Sequence, residues 1–460
     1  MSFKNLSLPE LITYCRGYGF IFQSSEIYDG IQAIYDYGHY GCLLKQNVKR
    51  LWQQEMVQKH NNIVGIDSAI IMHPNIWKAS GHVDSFDDLM IDNKDSKKRY
   101  RVDILIEEFA EKHNKPAIVD VMNDYIKEEN LEGLYDIIVN NNICCPVSGT
   151  CNWTPVRHFN LMFNFKDIDD NTIYLRPETA QGIYVNFLNI QRSTRQKIPF
   201  GIAQIGKAFR NEIIARQFTF RMREFEQLEM QFFIRPGEDE HWFDEWKTQR
   251  LSWYTDVLKI PQEKLRIKPH DKLAHYATAA VDIEYKFPFG FKEIEGIHAR
   301  GDFDLSNHTK SSGTKMTYVD PATKEPFIPH VIETSCGCDR IILMLLSEFV
   351  IKQITEEKER FVFSIDKSLS PIQCAILPLM KKTELMNVAD KIYNDLKSDI
   401  MCSYDVSGSI GKRYVYNDII GTPCCVTVDY QTLEDDTVTL RSRDTMLQHR
   451  VKRTEIRKFL

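Results

Sequence analysis

The sequence predicts an α+β protein, an antiparallel β-sheet flanked by helices, followed by a smaller C-terminal α/β domain. Three observations lead there. The strand-forming segments up to residue 335 are separated by long, irregular connections, which favour an antiparallel sheet over a doubly wound parallel one. Beyond a polar break at 368–371, strand and helix patterns alternate in short order. The length of 460 residues exceeds one ordinary core, so two or three domains are expected.

Taken in order, Leu44, Val48, Leu51, Trp52 and Met56 follow helical spacing across 43–57. Asn61 and Asn62 end that helix, and 63–72 reads as a strand closed by Pro74. Residues 84–142 are richer in charge, with Ile104, Leu105, Phe109, Tyr125 and Ile126 on one helical stripe; they read as a mostly helical insertion. Residues 200–234 have strand–loop–strand character around the polar stretch from Arg210 to Arg223, and Pro236 and Gly237 stop the second strand. A short strand at 331–335 precedes an apolar helix at 338–350. In the last domain, 372–377, 424–428 and 437–441 read as strands and 383–396 as a helix.

Composition excludes some classes and narrows others. Hydrophobic residues make up 43% and charged residues 27%, ordinary for a folded globular chain, and the longest apolar runs are too short to cross a bilayer. The N-terminal residues show no basic region followed by an apolar stretch, so no secretory signal is expected. Eleven cysteines then predict free thiols in a reducing, cytoplasmic setting. The net charge of −6 argues against a general nucleic-acid coat. The end of the chain differs: Arg441, Arg443, Arg450, Lys452, Arg453, Arg457 and Lys458 face only Asp444 and Glu455. That cluster is either a solvated basic tail or a phosphate-contacting edge.

Two segments carry the chemistry. In the first, Phe209, Arg210, Asn211 and Glu212 are followed by Phe220, Arg221, Met222, Arg223, Glu224 and Phe225. Side chains alternate along a strand, so Phe225, Gln227, Glu229 and Gln231 share a face, and Phe225 lies about 13 Å from Glu229 at roughly 3.3 Å per residue. That span suits a ligand with a base at one end and an amine at the other. An arginine between them can grip phosphate oxygens with two parallel hydrogen bonds. A salt-bridged surface hairpin would show the same residues. In the second segment, Glu333 and Ser335 share a strand face, Gly337 permits a close turn, and Arg340 falls in the first turn of an apolar helix. A cation there opposes the helix dipole and is easier to explain if it meets an anion, although an ordinary strand-to-helix corner with a surface arginine would show the same residues.

Together these segments resemble motifs 2 and 3 of the class II aminoacyl-tRNA synthetases: Phe209, Arg210 and Glu212 match the first, and Gly337, Cys338, Asp339 and Arg340 match the second. The finer resemblance is to the dimeric glycyl-tRNA synthetases. It rests on RGYGFIF from Arg16, YDYG from Tyr35, ASGHV from Ala79, LRPETAQG from Leu175, RNEI from Arg210, REFEQLE from Arg223 and GIHARGDFD from Gly296. IGKRY from Ile410, IGTP from Ile420 and VTLRSRD from Val438 resemble the anticodon-binding domain. The chain departs from the pattern at His39, at Thr334 where proline is usual, and at Cys336 and Cys338. Cys144, Cys145 and Cys151 have irregular spacing, so no structural zinc is expected there.

The resemblance implies a class II catalytic domain at 1–83 and 150–365, the insertion at 84–149 and an anticodon-binding domain at 366–460. It implies ATP with Mg²⁺, glycine and tRNA(Gly) as ligands, a homodimer formed through 43–72, and no membrane. The implied ATP site comprises Arg210, Asn211, Glu212, Phe220, Arg221, Met222, Arg223, Glu224, Phe225, Glu293, Ile294, Gly337, Cys338, Asp339 and Arg340. Arg210 and Arg340 are the implied catalytic residues, and Glu293 the Mg²⁺ ligand. The implied glycine site comprises Arg101, Glu178, Phe225, Glu226, Gln227, Leu228, Glu229, Glu333, Thr334, Ser335, Cys336 and Gly337. Two rivals stay open: a class II synthetase for proline, threonine or serine, and a non-catalytic nucleic-acid-binding descendant of the fold.

Overall fold

The computed structural model describes residues 2–213, 217–270, 273, 277–354 and 359–460. Its centre is a seven-stranded sheet: β1 (Ile63–Gly65), β2 (Phe200–Phe209), β3 (Glu224–Ile234), β4 (Leu265–Pro269), β5 (Ala279–Phe287), β6 (Gly290–Gly301) and β7 (His330–Gly337). The spatial order is β4-β5-β6-β7-β3-β2-β1. Every pairing is antiparallel except that of β1 with β2.

One face of this sheet is apolar. Leu228, Met230 and Phe232 of β3, Ile297 of β6, Ile283 of β5 and Ile332 of β7 are buried with Trp246 and with Ile341, Ile342 and Leu345. Those last residues belong to helices Asp239–Ser252 and Cys338–Phe349, which cover that face. Leu44, Val48 and Trp52, spaced four apart on helix His39–Gln53, bury the outer side of the same core. One ion pair lies within it: Arg250 donates to Glu295 at 2.6 and 3.1 Å, and Tyr254 adds a hydroxyl at 2.8 Å. The two parallel bonds and the hydroxyl satisfy a carboxylate that would be strongly destabilising there if left alone.

The elements at 43–57 and 63–72 differ from expectation in extent. The helix starts at His39 and continues through a wider turn at Gln54–Gln58, which buries Met56. The strand is only Ile63–Gly65, and Pro74 opens helix Pro74–Ala79 instead of closing a strand. Proline fits a first helical position, where its missing N–H removes no bond. Of the polar stretch between β2 and β3, residues 214–216 lie outside the described residues.

The segment read as a mostly helical insertion has helices Val102–His113, Ala117–Lys127 and Leu131–Asn140, and also a three-stranded sheet. Strand Asp87–Asp92 pairs with Arg99–Arg101 and with Arg157–Asn160. Its core joins Leu105, Ile106, Met122, Leu134 and Ile138 to Trp153 and Val156, so the packing runs past residue 149. Ile104 is only half-buried; the stripe runs through Val102, Leu105 and Ile106 instead. Cys144 and Cys151 are disulfide-bonded, which corrects the expectation of free thiols throughout, since the turn at 145–150 brings them together.

The C-terminal domain has its own core of Cys374, Ile376, Leu385, Val426, Val428 and Leu440. Its sheet runs Cys402–Tyr404, Cys374–Pro378, Cys424–Val428, Thr437–Ser442, Gln448–Lys452, parallel in the first three and antiparallel after. Six of the seven terminal cations meet acids: Arg441 with Asp418, Arg443 with Asp444, Arg450 with Asp429, Arg453 with Asp436, Arg457 with Asp399 and Lys458 with Glu455. The domain docks through Tyr14, whose hydroxyl donates to the Ile419 carbonyl at 2.6 Å, and Asn47, which donates to Leu369 and Ser370.

Candidate functional site

The face of the sheet opposite the apolar core is polar, and a pocket opens on it. Phe225, Gln227 and Glu229 of β3, Glu333 and Ser335 of β7, and Gly296 and His298 of β6 line it at two-residue intervals. Arg210, Glu212, Phe220, Arg221 and Met222 enter from the β2–β3 connection, Glu293 from β6, and Gly337, Asp339 and Arg340 from the helix start after β7. Residues distant in sequence therefore share one cleft because three neighbouring strands present the same face.

One end is acidic. Glu178 lies 3.3 Å from His82 Nε2 and accepts from Gln181 at 3.0 Å. Glu229 accepts from the Thr179 hydroxyl and from Gln231 at 3.1 Å. Glu333 meets Arg300 at 3.1 Å, His298 Nδ1 at 2.7 Å and Gln231 at 2.9 Å. Arg300 is held in turn by Asp304 at 2.8 Å. Burial pushes all three glutamate carboxyls up, but His82 and Arg300 overcome it at Glu178, and Arg300 and His298 do so at Glu333. Both are held below the usual range. Glu229 is raised well above it, by burial and by repulsion from Glu333 and Glu178.

The other end carries two guanidinium groups. Arg210 donates Nε to the Pro177 carbonyl at 3.0 Å and lies 5.3 Å from the Phe225 ring and 5.4 Å from that of Phe86. Arg340 stacks on Phe220 at 4.4 Å and pairs with Glu293 at 3.1 Å. That guanidinium holds the Glu293 carboxyl below its usual range. The Arg340 backbone is set by its neighbour Asp339, which accepts from the Glu226 N–H at 2.8 Å, from Tyr37 at 2.6 Å and from Lys45 at 2.9 Å. Cationic forks at one end and buried acids at the other match a ligand with phosphate and ammonium groups.

Several residues assigned from sequence do not reach the pocket. Glu226 faces the other way and pairs with Lys45 and Lys49, and Leu228, Ile294 and Cys338 are buried in the apolar core. Thr334 is buried with its hydroxyl on the far side of the strand from Ser335. Asn211 accepts from Arg223 at 2.6 Å, which stacks on Phe163, and Glu224 pairs with Lys207. Arg101 belongs to the insertion, paired with Asp88 at 3.0 Å and with Asp103 at 2.6 Å, and does not line the pocket. Alternation explains Glu226, Leu228 and Thr334: odd positions of β3 and β7 face the pocket and even ones the core, whereas Ile294 is the residue skipped at a β-bulge in β6 and Cys338 already belongs to the helix after β7. Cys336 borders the pocket although its side chain lies in the core. Conversely, Thr219, Gly296, His298 and Arg300 line the pocket without having been assigned. The signal was the GIHARGDFD string, where a histidine and an arginine two residues apart share a strand face.

Comparison with known proteins agrees with this geometry. Family models match as "tRNA synthetase class II core domain (G, H, P, S and T)" at 163–349, "Anticodon binding domain" at 373–460 and "Glycyl-tRNA synthetase insertion domain 1" at 88–117 and 111–161. The glycine–tRNA ligase of Chlorobaculum tepidum is 48% identical over 98% of this chain and 99% of its own length. That of Staphylococcus haemolyticus is 46% identical over 98% of both. Among solved structures, Giardia lamblia prolyl-tRNA synthetase in complex with prolyl-adenylate superposes with a TM-score of 0.63 at 14% identity, covering 99% of this chain and 77% of that one, a likeness of fold. By identity maintained across nearly its whole length, the chain belongs to the glycine–tRNA ligase family of class II aminoacyl-tRNA synthetases.

Proposed function

We propose that this chain attaches glycine to tRNA(Gly) in two steps. A carboxylate oxygen of glycine attacks the α-phosphorus of ATP, the bond to the bridging oxygen breaks, and pyrophosphate leaves. The terminal ribose hydroxyl of the tRNA then attacks the carbonyl of glycyl-adenylate, and AMP leaves. The observation that carries this reading is the single pocket with Glu178, Glu229 and Glu333 at one end and Arg210 and Arg340 at the other.

Glycine offers no side chain to recognise, so selection works through its ammonium and through exclusion of anything larger. The ammonium brings a positive charge to Glu229 and offsets the repulsion that Glu333 and Glu178 exert on its carboxylate. Ser335, which accepts from Gln227 at 3.3 Å, forms the wall against a β-carbon. Crowding of this kind can exceed the roughly 1–3 kcal/mol that a favourable methylene contact contributes. Arg210 meets the α-phosphate, where charge develops. Phe225 and Arg340 take the two faces of adenine, with Arg340 also near the γ-phosphate. Glu212 and the backbone at 220–222 read the base edge. Glu293, exposed to the pocket and ionised beside Arg340, suits Mg²⁺ together with ATP oxygens, and the ion would neutralise phosphate charge there. The C-terminal domain takes the anticodon arm. The helix and strand across 43–72 form a homodimer interface, and the protein works in the cytoplasm.

Pyrophosphate exchange with a panel of amino acids separates this from its nearest rival: glycine should drive exchange and proline, threonine, serine and alanine should not. Exchange with proline but not glycine would reject it, and absence of ATP binding would favour a non-catalytic descendant. Arg210→Ala should lower adenylate formation about 10²–10³-fold, the usual loss when a donor to developing charge is removed, with an unchanged circular dichroism spectrum. A well-folded, fully active variant contradicts the role. Light scattering should give a mass near twice the 53.8 kDa of one chain; a mass near one chain excludes the dimer.

A further inference from the structure

Three side chains meet on the polar face of the sheet: His270 and Asp282 have no part in the reaction above, and His298 enters it only by holding Glu333. His270 follows β4, Asp282 lies on β5 and His298 on β6. The register explains their meeting. Lys268 pairs with Asp282 and Asp282 with Gly296, while His270 N–H donates to Ala280, which pairs with His298. With a two-residue period, positions 268 and 270, 280 and 282, and 296 and 298 all face one way. One ligand atom from each of His270, Asp282 and His298 falls within 4.8 Å of the others. His270 Nε2 is already 2.8 Å from Asp282 Oδ1.

Two further observations favour a ligand at this cluster. Glu333 engages His298 at Nδ1, 2.7 Å away. A carboxylate on one imidazole nitrogen fixes the ring and raises the basicity of the other, the arrangement that metal-binding histidines show. The ring is also seated by Gly296, directly across from Asp282: a Cβ at that position would stand 2.9 Å from His298 Cε1 and 3.4 Å from Nε2. Glycine therefore lets Nε2 lie over the backbone on the side where Asp282 and His270 converge.

We propose that His270, Asp282 and His298 form a binding site for a zinc-type divalent transition-metal ion at the margin of the substrate pocket. Two imidazoles and one carboxylate suit Zn²⁺, Co²⁺ or Ni²⁺, whereas Mg²⁺ prefers oxygen alone, so this site is chemically distinct from Glu293. Three protein ligands leave a coordination position for water. Because His298 also holds Glu333, the ion tightens one wall of the acidic end of the pocket. The site does not depend on which amino acid the enzyme uses.

The test is titration of the chelator-treated full chain with Co²⁺, followed by visible absorption. One equivalent should bind with the d–d bands of nitrogen and oxygen ligands and without a thiolate charge-transfer band, and Zn²⁺ should displace it. His270→Ala and Asp282→Asn should each weaken binding by roughly 10–100-fold while leaving the thermal unfolding midpoint and glycine-dependent pyrophosphate exchange in Mg²⁺ buffer unchanged. A thiolate-dominated spectrum, or the same affinity in both variants as in the parent protein, overturns the proposal.

Discussion

Arg300 is the cation around which the polar face of the central sheet is organised. It is buried, its guanidinium spans Asp304 and Glu333, and its charge adds to that of His82 in holding Glu178 below the usual carboxylate range. Without it, four carboxylates would face one another in a low-dielectric space, each close enough to force a neighbour to keep its proton. With it, and with His82 and His298, the Glu178 and Glu333 carboxyls are held below the usual range while that of Glu229 stays raised. The network is high-stakes in the sense that every buried member needs a partner. Gln181 and Gln231 supply the remaining donors, bridging Glu178 to Asp304 and Glu229 to Glu333.

The sheet makes this possible because alternation separates two chemistries over one backbone. On β3, Leu228, Met230 and Phe232 enter the core while Phe225, Gln227 and Glu229 face the pocket. A slip of one residue would exchange the faces, placing glutamates in the core and leucine in the pocket. The buried helix Cys338–Phe349 serves both sides. Its apolar residues cover the core face, and its first turn sends Arg340 into the pocket while Asp339 anchors the β3 backbone and Lys45. The unfavourable placement of Arg340 at a positive helix end is offset by Glu293 across from it.

Much of this was legible in the sequence because it depends on local periods. The strands at 424–428 and the helix at 383–396 fall where their patterns put them, and the odd-numbered face of β3 follows from alternation alone. What was not legible depends on pairing across the chain. Strand Asp87–Asp92 reads as part of a charged helical stretch because its partners, Arg99–Arg101 and Arg157–Asn160, lie on both sides of three helices. Residues 66–72 look extended, but only Ile63–Gly65 pair in strand register with β2, after which Ile66 adds one backbone bond to Ala203. Arg101, which the resemblance put in the glycine site, is held instead by Asp88 and Asp103 of the insertion. His298 and Arg300 stood in a string already noticed, yet their place beside Glu333 follows from the β6–β7 register, which no local pattern reveals. The basic tail likewise proves to be paired acid by acid within its own domain, so its charge is mostly spent on the fold.

The central claim is that an amine is received by the acidic end of the cleft and a phosphate by the arginine end. A crystal structure with a non-hydrolysable glycyl-adenylate analogue tests it most directly. The amine should sit within hydrogen-bonding distance of Glu229 and its acidic neighbours, with the phosphate mimic against Arg210. An amine pointing away from Glu178, Glu229 and Glu333, or an analogue bound in the reverse sense, would contradict the account.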